Sequence, residues 1–145
     1  MRSPRGSVLL ADDEEGILKT LGRALREEGH DVTATSSAAE AQRLLSERSF
    51  DVFVVDHRMP GRTGLEMIRD LAAAVPEGER PQVLMMTAHA TVENAIEAMK
   101  LGAFDYLNKP FETDELLVTL QKALETTALK RELGRYRREQ EQRFG

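Results

Sequence analysis

Val52-Phe53-Val54-Val55-Asp56 runs four apolar residues straight into a carboxylate, and His57-Arg58-Met59-Pro60-Gly61 turns the chain at once. Consecutive β-branched and aromatic residues without polar alternation read as a strand buried on both faces. Such a strand belongs to a parallel sheet and delivers Asp56 to its carboxyl end, the edge where ligands sit in open α/β sheets. A charge at that place either caps the next helix or does chemistry.

The neighbouring segments repeat the pattern. Ser7-Val8-Leu9-Leu10-Ala11 is a short apolar run ending in Asp12-Asp13, with Glu14-Glu15 beyond. Ile17, Leu18, Leu21, Ala24 and Leu25 then recur at helical spacing, and Gly29 is placed to end that helix. Val32–Thr35 is a weaker strand, expected near a sheet edge. Ser36 or Ser37 can cap a helix carrying Ala38, Ala41, Leu44 and Leu45. After the Asp56 strand, Thr63-Gly64-Leu65-Glu66 opens a helix with Leu65, Ile68, Leu71, Ala72 and Val75 on one face. Two prolines and a glycine make Val75–Pro81 a loop. Gln82–Met86 is a fourth strand, ending at Thr87. Thr91 can cap a helix with apolar Val92, Ala95, Ile96 and Met99, closed by Gly102. Phe104–Leu107 is a fifth strand, ending in Asn108-Lys109-Pro110, and Thr113 is placed to cap a last helix near Asp114.

Strand and helix thus alternate five times. Right-handed crossovers then imply a parallel sheet with helices on both faces. Asp12-Asp13, Asp56, Thr87 and Lys109 all fall at strand carboxyl ends, in loops that converge where a doubly wound sheet switches direction. Taken singly each has an ordinary explanation. Asp12 and Asp13 could start a helix, Asp56 could form an Asx turn, Thr87 could cap a strand end, Lys109 could be a solvated lysine and Tyr106 a packed aromatic. Taken together they gather three carboxylates, and at about 4 Å and an effective dielectric near 20 each pair repels by about 4 kcal/mol. Lys109 offsets part of that. The donors are all oxygen, with no His or Cys converging from the other strand ends, which favours Mg²⁺ over zinc. A nucleophilic carboxylate, a metal, a hydroxyl and a lysine suit phosphoryl transfer onto Asp56.

The 145 residues are 41% hydrophobic and 31% charged, enough for one compact domain with a core. The net charge of -5 offers no electrostatic case for direct nucleic-acid binding. There is no cysteine, hence no disulfide or thiolate metal site, and no stretch that reads as a membrane span or signal peptide. A cytoplasmic protein is expected. Residues 1–6 are expected to be a disordered end.

With Asp12-Asp13, Asp56, Met59-Pro60-Gly61, Gly64, Thr87-Ala88 and Lys109-Pro110-Phe111 in place, the chain resembles the receiver domains of two-component response regulators, over about residues 7–126. The resemblance implies a flavodoxin-like (CheY-like) doubly wound sheet of five parallel strands in the order 2-1-3-4-5. It implies Asp56 as phosphoacceptor for a sensor histidine kinase. Asp13, Asp56 and the main-chain carbonyl of Arg58 would be direct Mg²⁺ ligands, with Asp12 acting through water. Thr87, Ala88 and Lys109 would bind the phosphoryl group, Tyr106 would turn inward with Thr87, and the Lys109-Pro110 peptide would be cis. Asp56–Gly61, Thr87-Ala88-His89 and Ala103–Tyr106 are similar to NtrC-type activators, which implies sigma-54-dependent transcription control through AAA+ ATPase and DNA-binding domains. In that family the residues at Arg58 and His89 tune the lifetime of the phosphoryl group. His57 and His30 otherwise read as surface or capping histidines. The competing functions are a Mg²⁺-dependent aspartyl phosphohydrolase and a phosphorylation-independent interaction module. The first wants a second acid just past Asp56, where His57-Arg58 stand instead.

The last helix carries a core face of Leu116, Leu117, Leu120, Ala123 and Leu124, and the pattern then continues through Leu129, Leu133 and Tyr136 toward Gln140. Residues 127–145 carry a net charge of +3 against -8 for the rest. This reads as a helical, coiled-coil linker that supports a homodimer and leads toward a missing output domain, the chain being a fragment cut at that linker.

Overall fold

The computed structural model describes residues 5–88 and 91–144, with side chains to Gln142. His89 therefore lies outside the described residues. Five parallel strands, β1 (Ser7–Ala11), β2 (Asp31–Thr35), β3 (Val52–Asp56), β4 (Gln82–Thr87) and β5 (Asp105–Asn108), lie in the order β2-β1-β3-β4-β5. That is the expected 2-1-3-4-5 topology, with the Asp56 strand at its centre and β2 at an edge.

β3 shows why four apolar residues in a row are needed. Val52 and Val54 face one layer, where Leu21 and Leu25 of α1 (Glu15–Glu27) meet Leu116, Leu120 and Leu124 of α5 (Thr113–Phe144). Phe53 and Val55 face the other, against Ala41 and Leu44 of α2 (Ala38–Glu47) and Leu65, Ile68 and Leu71 of α3 (Gly64–Ala74). Every residue of β3 is buried. Truncating Phe53 to Ala would cost roughly 3–5 kcal/mol.

The helix ends follow from local chemistry. The Ser37 hydroxyl accepts the Glu40 N–H, and Thr63 with Glu66 forms a reciprocal capping box at α3. Gly29 and Gly102 have φ of 92° and 102°, and each ends its helix in a Schellman motif. Gly29 N–H bonds to Arg26 O and His30 N–H to Leu25 O; Gly102 N–H bonds to Met99 O and Ala103 N–H to Ala98 O. His30 thus caps through its backbone. Its ring, expected at the surface, is instead buried and accepts the Gly6 N–H at Nδ1. Burial lowers its pKa, as does nearby Arg5, while Glu28 acts the other way. Gly6, read as part of the loose end, is fastened further by its carbonyl, which accepts the Asp31 N–H.

Three local expectations need correction. The loop after α3 contains a single 3-10 turn, Glu77–Glu79. Thr113 is the first residue of α5, and the first helical hydrogen bonds go to the Glu112 carbonyl, so Thr113 is not the cap. In α4 (Val92–Lys100), Val92, Ile96 and Met99 are exposed, Val92 by 76%, and only Ala98 is buried. Ala98 packs into the core on the side toward the sheet, and the large aliphatics form an adjacent stripe facing solvent. Periodicity alone does not choose between two such stripes.

Candidate functional site

The carboxyl edge of the sheet collects the polar residues. β1 ends one residue before Asp12, and the Asp12 N–H bonds to the Thr35 carbonyl, continuing the β1–β2 pairing into the turn. Asp12 Oδ1 accepts the Glu14 N–H at 2.8 Å, which orients its other oxygen toward the centre. Asp56 closes β3. Thr87 closes β4 opposite Asn108, and its carbonyl accepts the Lys109 N–H at 2.8 Å, so Lys109 leaves the β4–β5 ladder at the end where Thr87 sits.

The three carboxylates offer oxygens within 4.8 Å of one another. Asp12 and Asp56 are buried and Asp13 is exposed. Lys109 Nζ stands 2.7 Å from Asp12 Oδ2, 3.4 Å from Asp56 Oδ1 and 3.9 Å from Glu14 Oε1. Burial opposes the lysine's charge, but its hydrogen bond and attraction to Asp12, then Asp56, outweigh burial and raise its pKa. Asp56 responds in the opposite sense. Burial first, then the charge of Asp12, lift it from 3.8 to about 6 against the pull of Lys109. A carboxylate that is costly to ionise is one that gains from a cation or from transfer of a group onto its oxygen.

The turn after Asp56 is built tightly. Pro60 and Gly61, the latter at φ 88°, match the central residues of a type II turn. That turn joins Arg58–Met59 to Arg62–Thr63 in a short antiparallel ribbon. Gly64 packs so close that a Cβ would lie 3.1 Å from His57 Cα and 3.3 Å from the Asp56 carbonyl. His57 donates its N–H to Met86 O and accepts the Gly64 N–H. Its half-buried ring leaves Nδ1 without a hydrogen-bond partner among the described residues, and burial followed by Arg58 lowers its pKa.

The expected site residues Asp12, Asp13, Asp56, Thr87 and Lys109 thus converge on one edge. Arg58 is exposed, two residues past Asp56, and Ala88 is exposed just beyond Thr87. Tyr106 is half-buried and packs against the core beneath. The Lys109-Pro110 peptide is cis. Glu14, in Lys109's reach, carries no sequence signal beyond its place in the acidic turn. An all-oxygen, carboxylate-rich cluster of this spacing fits Mg²⁺ or Ca²⁺ rather than a softer metal. A cleft of about 760 Å³ lies elsewhere, lined by Arg48, Phe50, Lys130 and Arg131. It holds none of the clustered carboxylates, so charge rather than volume locates the chemistry.

A doubly wound sheet with an acidic, lysine-bridged pocket at its carboxyl edge defines a flavodoxin-like domain of the aspartate-centred signalling class. The chain belongs to the response regulator receiver domain family, whose model matches residues 8–121. It is 38% identical over 125 residues to the alginate biosynthesis transcriptional regulatory protein AlgB of Pseudomonas aeruginosa, covering 86% of this chain and 27% of AlgB. It is 34% identical over 126 residues to the regulatory protein AtoC of Escherichia coli K12, covering 87% and 27%. Among solved structures, the beryllofluoride-activated NtrC4 receiver domain dimer superposes with a TM-score of 0.77 at 34% identity, covering 83% of this chain and 98% of that one. The chain spans about a quarter of the length of the curated relatives it matches. Receivers are in general switches rather than enzymes. Among the described residues, no helix is long and apolar enough to cross a membrane.

Proposed function

We propose that the chain is a phosphorylation-controlled switch, in which Asp56 takes a phosphoryl group from a sensor histidine kinase in a Mg²⁺-dependent reaction. One observation carries the reading: a carboxylate 6% exposed, 3.4 Å from Lys109 Nζ and within 4.8 Å of two further carboxylates. An Asp56 oxygen adds to phosphorus, the bond from phosphorus to the donor's imidazole nitrogen breaks, and that nitrogen keeps the electron pair. The product is an acyl phosphate on Asp56. Lys109 bridges Asp12 and Asp56, so its ammonium is in place to neutralise a phosphoryl oxygen. Asp13, Asp56 and the Arg58 carbonyl would hold Mg²⁺ directly, and Asp12 through water. When bound, the ion offsets the combined charge of the carboxylates and the incoming phosphoryl group.

The Thr87 hydroxyl and the Ala88 backbone would receive the remaining phosphoryl oxygens. Thr87 shares its rung with Asn108, two residues along β5 from Tyr106, so movement of Thr87 toward the phosphoryl group would be felt by that ring. The face it would reshape is α4, β5 and α5, where Val92, Ile96, Met99 and Val118 stand exposed. The likeness to AlgB, AtoC and the NtrC4 receiver supports an NtrC-type regulator. In that reading residues 7–126 are the receiver and 127–145 a linker. The full-length protein adds AAA+ ATPase and DNA-binding domains, and it works in the cytoplasm as a homodimer on sigma-54-dependent transcription.

The test is incubation with acetyl phosphate and Mg²⁺ followed by intact mass. The wild type should gain one phosphoryl group and Asp56→Asn none. No gain, or a gain that survives the substitution, sinks the proposal. Sedimentation with and without beryllofluoride then reads the effect on assembly.

A further inference from the structure

The cleft of about 760 Å³ lies at the amino edge of the sheet, at the other end of β3 from Asp56. Phe50 stands two residues before β3 and Pro81 one residue before β4. Its walls come from the ends of α2 and α3, the 3-10 turn and the later part of α5, and Leu45, Phe50, Leu71 and Val75 give it an apolar surface. Around that surface the charge is one-sided. Arg48, Lys130, Arg131 and Arg138 line the cleft against a single carboxylate, Glu79, in a chain whose net charge is -5. Two neighbouring acids are already engaged, Glu47 with Arg43 at 2.9 Å and Asp51 with Arg131 at 2.7 Å. Among the described residues, Arg48, Lys130 and Arg138 join no ion pair.

The cleft is held in shape from both sides. Arg48 lies over the Phe50 ring, 4.9 Å from its centroid, and donates to Thr33 Oγ1 at 3.3 Å. Its cation is therefore fixed by an aromatic face and a hydroxyl, with no carboxylate to neutralise it. On the opposite side Arg131 clamps α5 to Asp51, whose other oxygen accepts the Ser7 N–H at 2.8 Å. Lys130, Gly134 and Arg138 follow at intervals of four and share one stripe of α5. Gly134 is a gap in that stripe. It lines the cleft, and nothing lies within 4 Å of the place its Cβ would take.

We infer that this cleft binds a nucleoside polyphosphate, with its phosphate chain along Lys130, Arg138 and Arg48 and its base on the apolar surface of Leu45, Leu71 and Val75. Small-molecule sites run to about 300–1,000 Å³ and combine apolar walls with a few placed charges. Eight helical residues set the Lys130 and Arg138 backbones about 12 Å apart, and Arg48 adds a third point from another element. A lone phosphate or carboxylate cannot meet three separated cations, whereas a chain of phosphates can. Guanidinium groups take phosphate oxygens in pairs, and the lysine ammonium adds a point charge. A ligand so placed ties α5 to the end of α2. It makes no use of Asp56, so the inference stands apart from the phosphoacceptor reading.

The test is isothermal titration calorimetry of the whole chain with ATP, GTP and inorganic triphosphate. Chelator is present, so that no metal links the phosphates to the carboxylates at the other sheet edge. At least one of the two nucleotides should bind one to one, and about tenfold or more tightly than inorganic triphosphate, which has nothing to lay on the apolar surface. Lys130→Glu with Arg138→Glu should weaken that binding about tenfold or more. Gly134→Leu keeps every cation and a good helix former, and fills the gap, so it should weaken binding as much. Far-UV circular dichroism showing no loss of helix in either variant ties the effect to the cleft. No binding of either nucleotide overturns the inference, as does binding that survives either variant or inorganic triphosphate that binds as tightly. A glutamate-rich peptide binding as tightly as the nucleotide also overturns it, and would make the cleft a protein-docking surface.

Discussion

Replacing the proposed phosphoacceptor should make the metal-free protein more stable, not less. Lifting the Asp56 carboxyl from 3.8 to about 6 means that ionising it costs about 3 kcal/mol more in the fold than in the unfolded chain, at 1.36 kcal/mol per pH unit. Because the folded pKa is the higher one, the fold's advantage from a neutral Asp56 is complete below pH 3.8 and is lost as pH rises through about 6. Asn keeps the shape and an oxygen for Lys109, and removes the charge that faces Asp12. Asp56→Asn should therefore gain about 1–3 kcal/mol at pH 7.5, after allowing for the weakened attraction to Lys109. For a chain of this length that is roughly 3–9 °C in Tm. Thermal or urea unfolding of both proteins in chelator, from pH 4 to pH 8, measures the difference. It should be small at pH 4, open as pH rises from about 4 to about 6, level off above that and shrink again on adding Mg²⁺. A difference independent of pH, or a less stable Asp56→Asn at pH 7.5, would refute the electrostatic account of this pocket.

Three further outcomes follow from other contacts. Lys109→Met leaves buried Asp12 without its 2.7 Å cation, and urea unfolding at pH 7.5 should show a loss of roughly 3 kcal/mol; no loss would mean that solvent or ions already screen the pair. Gly64→Ala forces a methyl against the His57 and Asp56 backbone, so it should cost roughly 1–3 kcal/mol and slow acetyl phosphate labelling, whereas an unchanged protein would show that the turn yields freely. Gly134 has open space around its Cβ position, so Gly134→Ala should stabilise the end of α5 by about 1 kcal/mol; hydrogen exchange at residues 130–140 would read it as slower exchange.

The central architecture could be read from residues because the needed signals are local. Four apolar residues ending in Asp56 require two covered faces, and the structure supplies both. Gly29 and Gly102 announce helix ends that only a positive φ can close. The site is legible for a related reason: in a doubly wound sheet, chain order alone assigns each strand's carboxyl end to the same edge. What the residues could not convey depends on long-range packing. The inner face of α4 is decided by Ala98 fitting the sheet, although Val92 and Ile96 carry more apolar surface. His30 looks like a capping residue, and its ring is buried because Gly6, 24 positions away, brings its N–H to Nδ1. Asp51 has no sequence signal at all, since its partners Ser7 and Arg131 lie 44 and 80 positions away.

The length of α5 has a mechanical consequence. Its 32 residues make a rod of about 48 Å, rooted a few residues past Lys109 and passing the Arg131–Asp51 bridge on its way out. That bridge works as a fulcrum. The 13 residues beyond Arg131, ending at Phe144, form an outboard arm of about 20 Å. With the bridge intact, a rocking motion at the root moves the tip in the opposite direction. With it broken, the whole rod swings from its base, and a tilt of about 5° carries the far end about 4 Å, close to the rise of three helical residues. Asp51 thus sets the gearing between one edge of the sheet and whatever the far end touches.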